Sequence, residues 1–423
     1  MKVYKFGGAS VRDAEGVRNL ADIIGSEKSR LFVIVSAMGK TTNAMERVLD
    51  SFYSGSKEQA LSELNDVITY HNSIIEGLWD KGHVSSRLDA FYEELSSIIS
   101  SDPGTRSYEE WYDRIVSYGE LISTTIISEY LIHRGMTNLW VDMRTCFITN
   151  DRHKDASIDL DRSSELLLDI VNSSSENLFI GQGFIGATPD GTPTTIGREG
   201  SDYSAAVAGY ILDAENVAIW KDVEGILNGD PKIFDDTRHI PELTYLDAIE
   251  LAYSGAQIIH PKTIKPLQNK SIPLHVRSFL DKSKPGSVIK DSIAGKIDIP
   301  ILILKKDQVL LTIRPEDFSF VLEEKLAEIF SLLEKYHVKV NLIQSSAVSL
   351  SLCMDSSRYL DEITGQLRND GFQVAYNTEM ELLTVRGYTQ QQQLQYGDDP
   401  NAYMTQRTRR SLRVVRKTQK KGK

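Results

Sequence analysis

A chain of 423 residues, 41% apolar and 25% charged, is long for one domain and rich enough in apolar side chains to bury a sizeable core, which excludes a disordered or fibrous protein and suggests two or three domains. The formal charge of −11 is uneven: nine Lys/Arg and no acid fall between Arg407 and Lys423, so the rest carries −20 once that +9 is set aside. A basic tail behind an acidic body, with no basic stripe interleaved with aromatics, argues against nucleic acid as a partner. No run of about 18 apolar residues occurs, and MKVYKFGGASV has a glycine pair where a signal peptide would carry its apolar run, so no membrane is expected and the location is expected to be cytoplasmic. Cys146 and Cys353 lie far apart inside apolar segments and read as buried thiols.

In chain order, KVYKF reads as a strand, GGAS as a turn, Val11 to Ile24 as a helix and LFVIVSAM as a strand. Alternating strands and helices imply a parallel sheet sandwiched by helices. Ala44 to about Ile132 has helical spacing with few Pro or Gly, and strands return at NLWVDM, ENLFIGQGFIGA and ENVAIWKDV, with helices over Asp202–Leu212 and Tyr245–Tyr253. This α/β domain is expected to span residues 1–293. From Ile301 a smaller pattern restarts: QVLLTIR, a helix over FVLEEKLAEIFSLLEKY, VKVNLIQ, AVSLSLCM, a helix over RYLDEITGQLRN, FQVAY and MELLTVR. That is a ferredoxin-like βαββαβ unit, expected over 301–388, followed by a basic extension over 389–423 in which SLRVVRK could add a strand.

Lys5-Phe6-Gly7-Gly8-Ala9-Ser10 closes the first strand and opens the first helix. Paired glycines admit an anion close to the backbone, helix-terminal N–H groups carry positive partial charge and Lys5 adds a full one, which suits phosphate; a purely structural glycine turn is the alternative. Gly39-Lys40-Thr41 mimics the end of a P-loop but has Ile34 where glycine is required. Gly181-Gln182-Gly183-Phe184-Ile185-Gly186 matches G-x-G-x-x-G, yet ATPDGTPTT follows instead of a helix, which argues against a dinucleotide site. Thr194 to Asp202 gathers a guanidinium, a hydroxyl and a carboxylate at another helix start: Arg198 suits bidentate capture of a carboxylate, and Asp202 could orient Lys5 or a magnesium-bound water, or cap the helix with Ser201.

KFGGASV, VSAMGKTTN, SYGELIS, TTIGREGSD, KDVEGILNGDPK and SGAQIIHPKTI occur in the order of the motifs of the aspartokinases, in the amino-acid kinase family, which residues 1–290 resemble. The carboxy-terminal unit resembles the ACT domain that such enzymes carry for feedback control. The resemblance implies an amino-acid-kinase α/β/α sandwich followed by an ACT domain, using ATP and Mg²⁺ to phosphorylate the side-chain carboxylate of L-aspartate in biosynthesis of the aspartate-derived amino acids. It also implies roles by position. Lys5 and Asp202 would serve phosphoryl transfer; Gly7, Gly8, Ser36, Lys221, Asp222, Leu227, Lys232 and Gln257 the nucleotide; and Thr42, Glu120, Arg198 and Ser201 the substrate. Asn341 and Ser346 fall at the implied effector turn, and no side chain is assigned as a direct metal ligand. Glu199 and Gln257 depart from the common glycine and lysine, with Lys262 a possible replacement cation, and His260 reads as structural. Asn341 and Ala347 replace acidic residues of the common pattern, which leaves the effector open. An ACT-like unit suggests a homodimer or higher homo-oligomer. Other readings are a kinase for another acid acceptor and a non-catalytic amino-acid sensor.

Overall fold

The computed structural model describes residues 1–80, 82–256, 259–293, 299–317, 320–321 and 323–418. By internal contacts it divides into two compact units, the first comprising residues 1–226, 241–249 and 259–294, and the second residues 227–240, 250–258 and 295–423.

In the first unit an eight-stranded sheet runs in the spatial order Glu242–Thr244, Ser287–Lys290, Leu274–Ser278, Val217–Lys221, Lys2–Phe6, Leu31–Val35, Leu178–Gln182, Leu139–Val141. All neighbours are parallel except Leu274–Ser278 against Ser287–Lys290. Every residue of Leu31–Val35 and of Leu178–Gln182 is buried, as expected of parallel strands covered on both faces, and this explains why they read as continuous apolar runs. The first helix begins at Ala14, later than Val11, because Asp13 accepts a hydrogen bond from the Gly16 N–H (2.8 Å) and caps it there; Gly8–Val11 forms a short 3₁₀ turn ahead of it. Helices fill the region from Thr41 to His133, and the last of them, Tyr118–His133, is buried on nearly every side through Leu131. The small-residue helix is found over Gly200–Ile211 and the next over Tyr245–Tyr253.

The glycines of Gly181–Gly186 serve packing. A Cβ on Gly183 would lie 2.4 Å from the Ser201 Cβ, so glycine there lets the chain leaving the sheet touch the start of the Gly200–Ile211 helix.

The second unit carries a six-stranded antiparallel sheet in the order Val340–Ser345, Leu350–Asp355, Ile301–Pro315, Phe372–Arg386, Ser411–Lys417, Ala402–Arg407. Helices Glu323–Lys335 and Leu360–Asn369 pack on it through Ile329, Leu332, Leu333, Ile363 and Leu367. Two strands are longer than the sequence suggests. FQVAY and MELLTVR are one strand, and QVLLTIR begins at Ile301. The polar stretches KKD and NTE, which look like breaks, are irregularities on paired strands: Asp307 (φ 54°) and Glu379 (φ 55°) adopt left-handed backbone, and the register shifts between Lys305 and Gln308. Of the basic carboxy-terminal segment, Ser411–Lys417 pairs with Phe372–Arg386, and Arg416 bonds Glu381 (2.8 Å) and Asp399 (3.3 Å). Both cysteines are buried and free. Among the described residues no helix is long and apolar enough to cross a membrane.

Gly365 sits within the helix Leu360–Asn369 with nothing within 4 Å of an added Cβ. Gly365→Ala is therefore expected to stabilise the second unit by about 0.5–1 kcal/mol, read as a higher urea midpoint with unchanged slope.

Candidate active site

The first unit contains a cavity of about 560 Å³ at the carboxyl ends of the central strands, where open α/β sheets place their ligands. Lys5, Gly7, Gly8, Ser36, Thr42, Glu120, Arg198, Ser201, Asp202, Lys221 and Asp222 all line it. These residues come from the first strand and its glycine turn, the turn after Leu31–Val35, the first turns of Thr41–Tyr53, Tyr118–His133 and Gly200–Ile211, the loop before the last of these, and the end of Val217–Lys221 with the residue after it. Gly8 has a steric reason to be glycine: an added Cβ would lie 2.5 Å from the Ala37 carbonyl oxygen, and Gly8 O accepts from the Gly39 N–H at 2.9 Å, so the turn after the first strand and the turn before Thr41–Tyr53 are held backbone to backbone.

At one end, Asp202 is 4% exposed and Lys5 8%. The Lys5 ammonium lies 2.6 Å from Asp202 Oδ1 and that of Lys221 3.5 Å from Oδ2. Burial alone would raise the Asp202 carboxyl, but the attraction of Lys5 and then Lys221 outweighs it and holds the group below the usual carboxylate range. Asp202 also sits in the first turn of its helix, where a negative charge is favoured. In the same cavity Glu120 is 2% exposed; its Oε1 accepts from the Ala37 N–H (3.2 Å), while its Oε2 is buried with no hydrogen-bond partner among the described residues. Burial pushes its carboxyl up to about 8, against the Ala37 bond and the field of Lys5. Arg198 is exposed on the loop before the Gly200–Ile211 helix.

Glu199, the departure beside the phosphate-type turn, adopts left-handed backbone (φ 53°) and turns its carboxylate to the His260 N–H, where Oε2 accepts at 3.0 Å. His260 caps the helix Pro261–Asn269 by accepting from the Lys262 N–H (3.1 Å), the structural role read from the sequence. The Lys262 ammonium donates to the Ile196 carbonyl (3.0 Å) and lies 4.7 Å from the Tyr203 ring. Leu227 and Lys232 belong to the second unit, where the Lys232 N–H donates to Asp230 (2.9 Å). Gln257 lies outside the described residues.

Four further residues line the cavity without having been singled out from the sequence: Tyr112, Lys154, Phe184 and Trp220. Tyr112, Lys154 and Trp220 belong to no short motif, and Phe184 sits at a variable position of the Gly181–Gly186 run. Lys154 and Phe184 occupy left-handed backbone on connecting loops, which carries no periodic signal.

In the second unit Asn341 is fully engaged. Its Oδ1 accepts from the Lys305 ammonium (2.9 Å), and its amide donates to Gln308 Oε1 and Asp355 Oδ1, both at 2.7 Å. The same ammonium pairs with Asp355 at 2.7 Å. Burial works to raise the Asp355 carboxyl, but the hydrogen bonds from Lys305, Gln308 and Asn341 prevail and lower it. Ser346 bonds Ser349 (2.7 Å) in the turn between Val340–Ser345 and Leu350–Asp355.

Comparison with known proteins agrees with this architecture. The model of the amino acid kinase family matches residues 1–278. The lysine-sensitive aspartokinase 3 of Escherichia coli (strain K12) is 32% identical over 358 residues, 84% of this chain and 78% of that one. The chloroplastic aspartokinase 1 of Arabidopsis thaliana is 31% identical over 84% of this chain and 63% of its own length; of a chloroplastic bifunctional aspartokinase/homoserine dehydrogenase from the same plant, the match covers 39%. A solved structure of E. coli aspartokinase III in complex with aspartate and ADP superposes with a TM-score of 0.80 at 28% identity, covering 99% of this chain and 96% of that one. The aspartate kinase of Clostridium acetobutylicum, 21% identical with a TM-score of 0.80 over 99% of this chain and 96% of that one, shares the fold. The ordered motifs, the open parallel sheet and these matches together make the chain a member of the amino acid kinase family, among the aspartokinases.

Proposed function

We infer that this chain transfers the γ-phosphoryl group of ATP to the side-chain carboxylate of L-aspartate. The observation that carries the reading is the buried, unpartnered Oε2 of Glu120 in the same cavity as Lys5 and the glycine turn. A carboxylate acceptor aimed into the cavity calls for an ammonium group, and the Lys5 end calls for phosphate, so the acceptor is a free amino acid.

In this reading Lys5 and the backbone N–H groups of Gly7 and Gly8 take the charge that develops on the transferring phosphoryl group. Asp202 holds Lys5 at that place, and Ser36, Lys221 and Asp222 complete the nucleotide side. Glu120 takes the substrate ammonium, Arg198 and Ser201 its α-carboxylate, and Thr42 lies beside the reacting end. The attacking side-chain carboxylate has a pKa near ~4 and arrives ionised, so no general base is required. Catalysis is then positioning and electrostatics. Mg²⁺ would neutralise nucleotide phosphate charge. Among the described residues no cluster of three or more His, Cys, Asp or Glu side chains is placed to hold a metal, and Asp202 and Asp222 are the cavity carboxylates that would face the ion's waters.

The antiparallel sheet of the second unit is proposed as an ACT-like effector and assembly module, with a homodimer or higher homo-oligomer formed through it. Its outer strands, Val340–Ser345 and Ala402–Arg407, offer edges that a second copy could extend. The domain division that goes with this reading is a catalytic part over 1–293, an ACT-like part over 301–388 and a basic segment over 389–423.

Three outcomes test the reading. With ATP, Mg²⁺ and hydroxylamine, aspartate is expected to yield the hydroxamate, and Lys5→Ala to lower kcat by about 10²–10³-fold in a folded protein; hydroxamate from glutamate or acetylglutamate but not from aspartate would move the assignment to another acid. Binding an ammonium at Glu120 requires its ionised form, so below about 8 a proton must leave first. The KM for aspartate should fall as pH rises toward that value and level off above it, and Glu120→Gln should abolish the slope; a flat profile in the unmodified chain would refute the Glu120 role. Finally, Lys305 presents an ammonium to Asn341 and Asp355 from within the chain. Lys305→Met is expected to lower the lysine concentration needed for half-inhibition; if the two proteins respond alike, Asn341 is not part of a lysine site.

A further inference from the structure

Lys154 is a lysine where the backbone favours glycine. Its φ is 66°, the left-handed region in which a Cβ crowds the backbone, and such conformations persist only where the surroundings impose them. Here they do. The Lys154 N–H lies 3.2 Å from each oxygen of Asp113, a carboxylate with no exposure at all. Asp113 also accepts from Thr195 Oγ1 at 2.6 Å and lies 2.8 Å from His153 Nδ1. The helix Tyr108–Val116, the strand Pro193–Thr195 and the loop bearing Lys154 are thus tied at one buried point.

This anchorage sets the side chain against the cavity wall. The Lys154 ammonium lies 4.5 Å from the centre of the Tyr112 ring and 5.3 Å from that of Tyr108, and Lys154 and Tyr112 both line the cavity. Among the described residues it forms no ion pair, unlike Lys5 and Lys221, which are committed to Asp202. Arg198 likewise has no ion-pair partner among the described residues. The two loops touch: a Cβ on Gly197 would come within 3.2 Å of the Lys154 carbonyl oxygen and 2.7 Å of Asp155 Oδ1. A guanidinium and an ammonium with no ion-pair partner among the described residues, on touching loops that line a cavity also holding Glu120, suit a carboxylate better than water.

We propose that Lys154 is a second cation for the α-carboxylate of the amino-acid substrate, working beside Arg198; this rests on the amino-acid kinase reading above. The aromatic wall of Tyr112 and Tyr108 keeps the ammonium poised in the absence of substrate, since a cation over a ring retains part of its electrostatic stabilisation and can move to a full anion when one arrives. Lys5 and Lys221 serve the phosphate end, and Lys154 with Arg198 serves the opposite one, so the phosphoryl group and the α-carboxylate do not compete for the same cations.

The test is steady-state kinetics of full-length Lys154→Met, Lys154→Gly and Lys154→Arg, with L-aspartate and with its α-carboxamide. Met and Gly are each expected to raise the KM for aspartate by roughly tenfold, with kcat and the KM for ATP within about twofold, and to erase the preference for aspartate over the α-amide; Arg should restore most of both. The glycine variant separates binding from folding, because it relieves the backbone strain and should raise the melting temperature while it weakens aspartate binding. An unchanged aspartate KM in the Met and Gly variants, or a shift confined to the KM for ATP, would overturn the role of Lys154. An unmodified chain that forms no acyl phosphate from aspartate would instead overturn the parent reading, and the two failures are thereby distinct.

Discussion

A carboxylate flanked by two ammonium groups organises the phosphate end of the cavity. Asp202 receives Lys5 from the central strand and Lys221 from the strand beside it, so a single buried charge joins two strands to the Gly200–Ile211 helix. Burying any of these groups alone would be costly, and removing one member of such a set leaves the others uncompensated, a loss of about 3–5 kcal/mol in typical cases. The charge balance also decides what can bind: two cations on one anion leave net positive charge, and the glycine turn adds N–H dipoles. An anion of phosphate type completes the set.

The same logic, with opposite sign, holds at Glu120 and in the second unit. Glu120 is a buried acceptor with one oxygen bonded and one without a partner among the described residues, whereas Asp355 Oδ1 is bonded from within the chain by Lys305, Gln308 and Asn341. An unfilled acceptor inside a cavity points outward to a ligand. One already bonded within the chain ties together the strands that carry it, and a ligand ammonium at Asp355 Oδ1 would compete with Lys305.

Much of this architecture is legible in the sequence. The apolar runs LFVIVSAM and ENLFIGQ had to be covered on both faces, and the strand–glycine–helix order at Lys5 to Ser10 placed a phosphate-type turn at a strand end. Arg198, Ser201 and Asp202 announced themselves as a charged cluster opening a small-residue helix. What escaped were features that depend on tertiary contact. Lys154 sits in HKDAS, a loop with no periodicity, and its importance comes from Asp113, forty-one positions earlier. The two long strands of the second unit were read as shorter pieces because KKD and NTE look like breaks; paired across the sheet, the irregularities at Asp307 and Glu379 let the ladder continue. Glu199, a departure from glycine in the sequence, is accommodated because its left-handed backbone turns the carboxylate to the His260 N–H.

The position of the first strand has a consequence for how the chain acquires its structure. Lys2–Phe6 is central, with Leu31–Val35 on one side and Val217–Lys221 on the other. Lys2–Phe6 therefore waits, during synthesis, for a partner strand more than 200 residues further along the chain. Pairings of such sequence separation form slowly, because loop-closure entropy is spent before the contact repays it, and an apolar strand edge stays open meanwhile. The lysine that handles phosphate thus gains its neighbouring strand and the second ammonium at Asp202 only once the chain through Lys221 has been made.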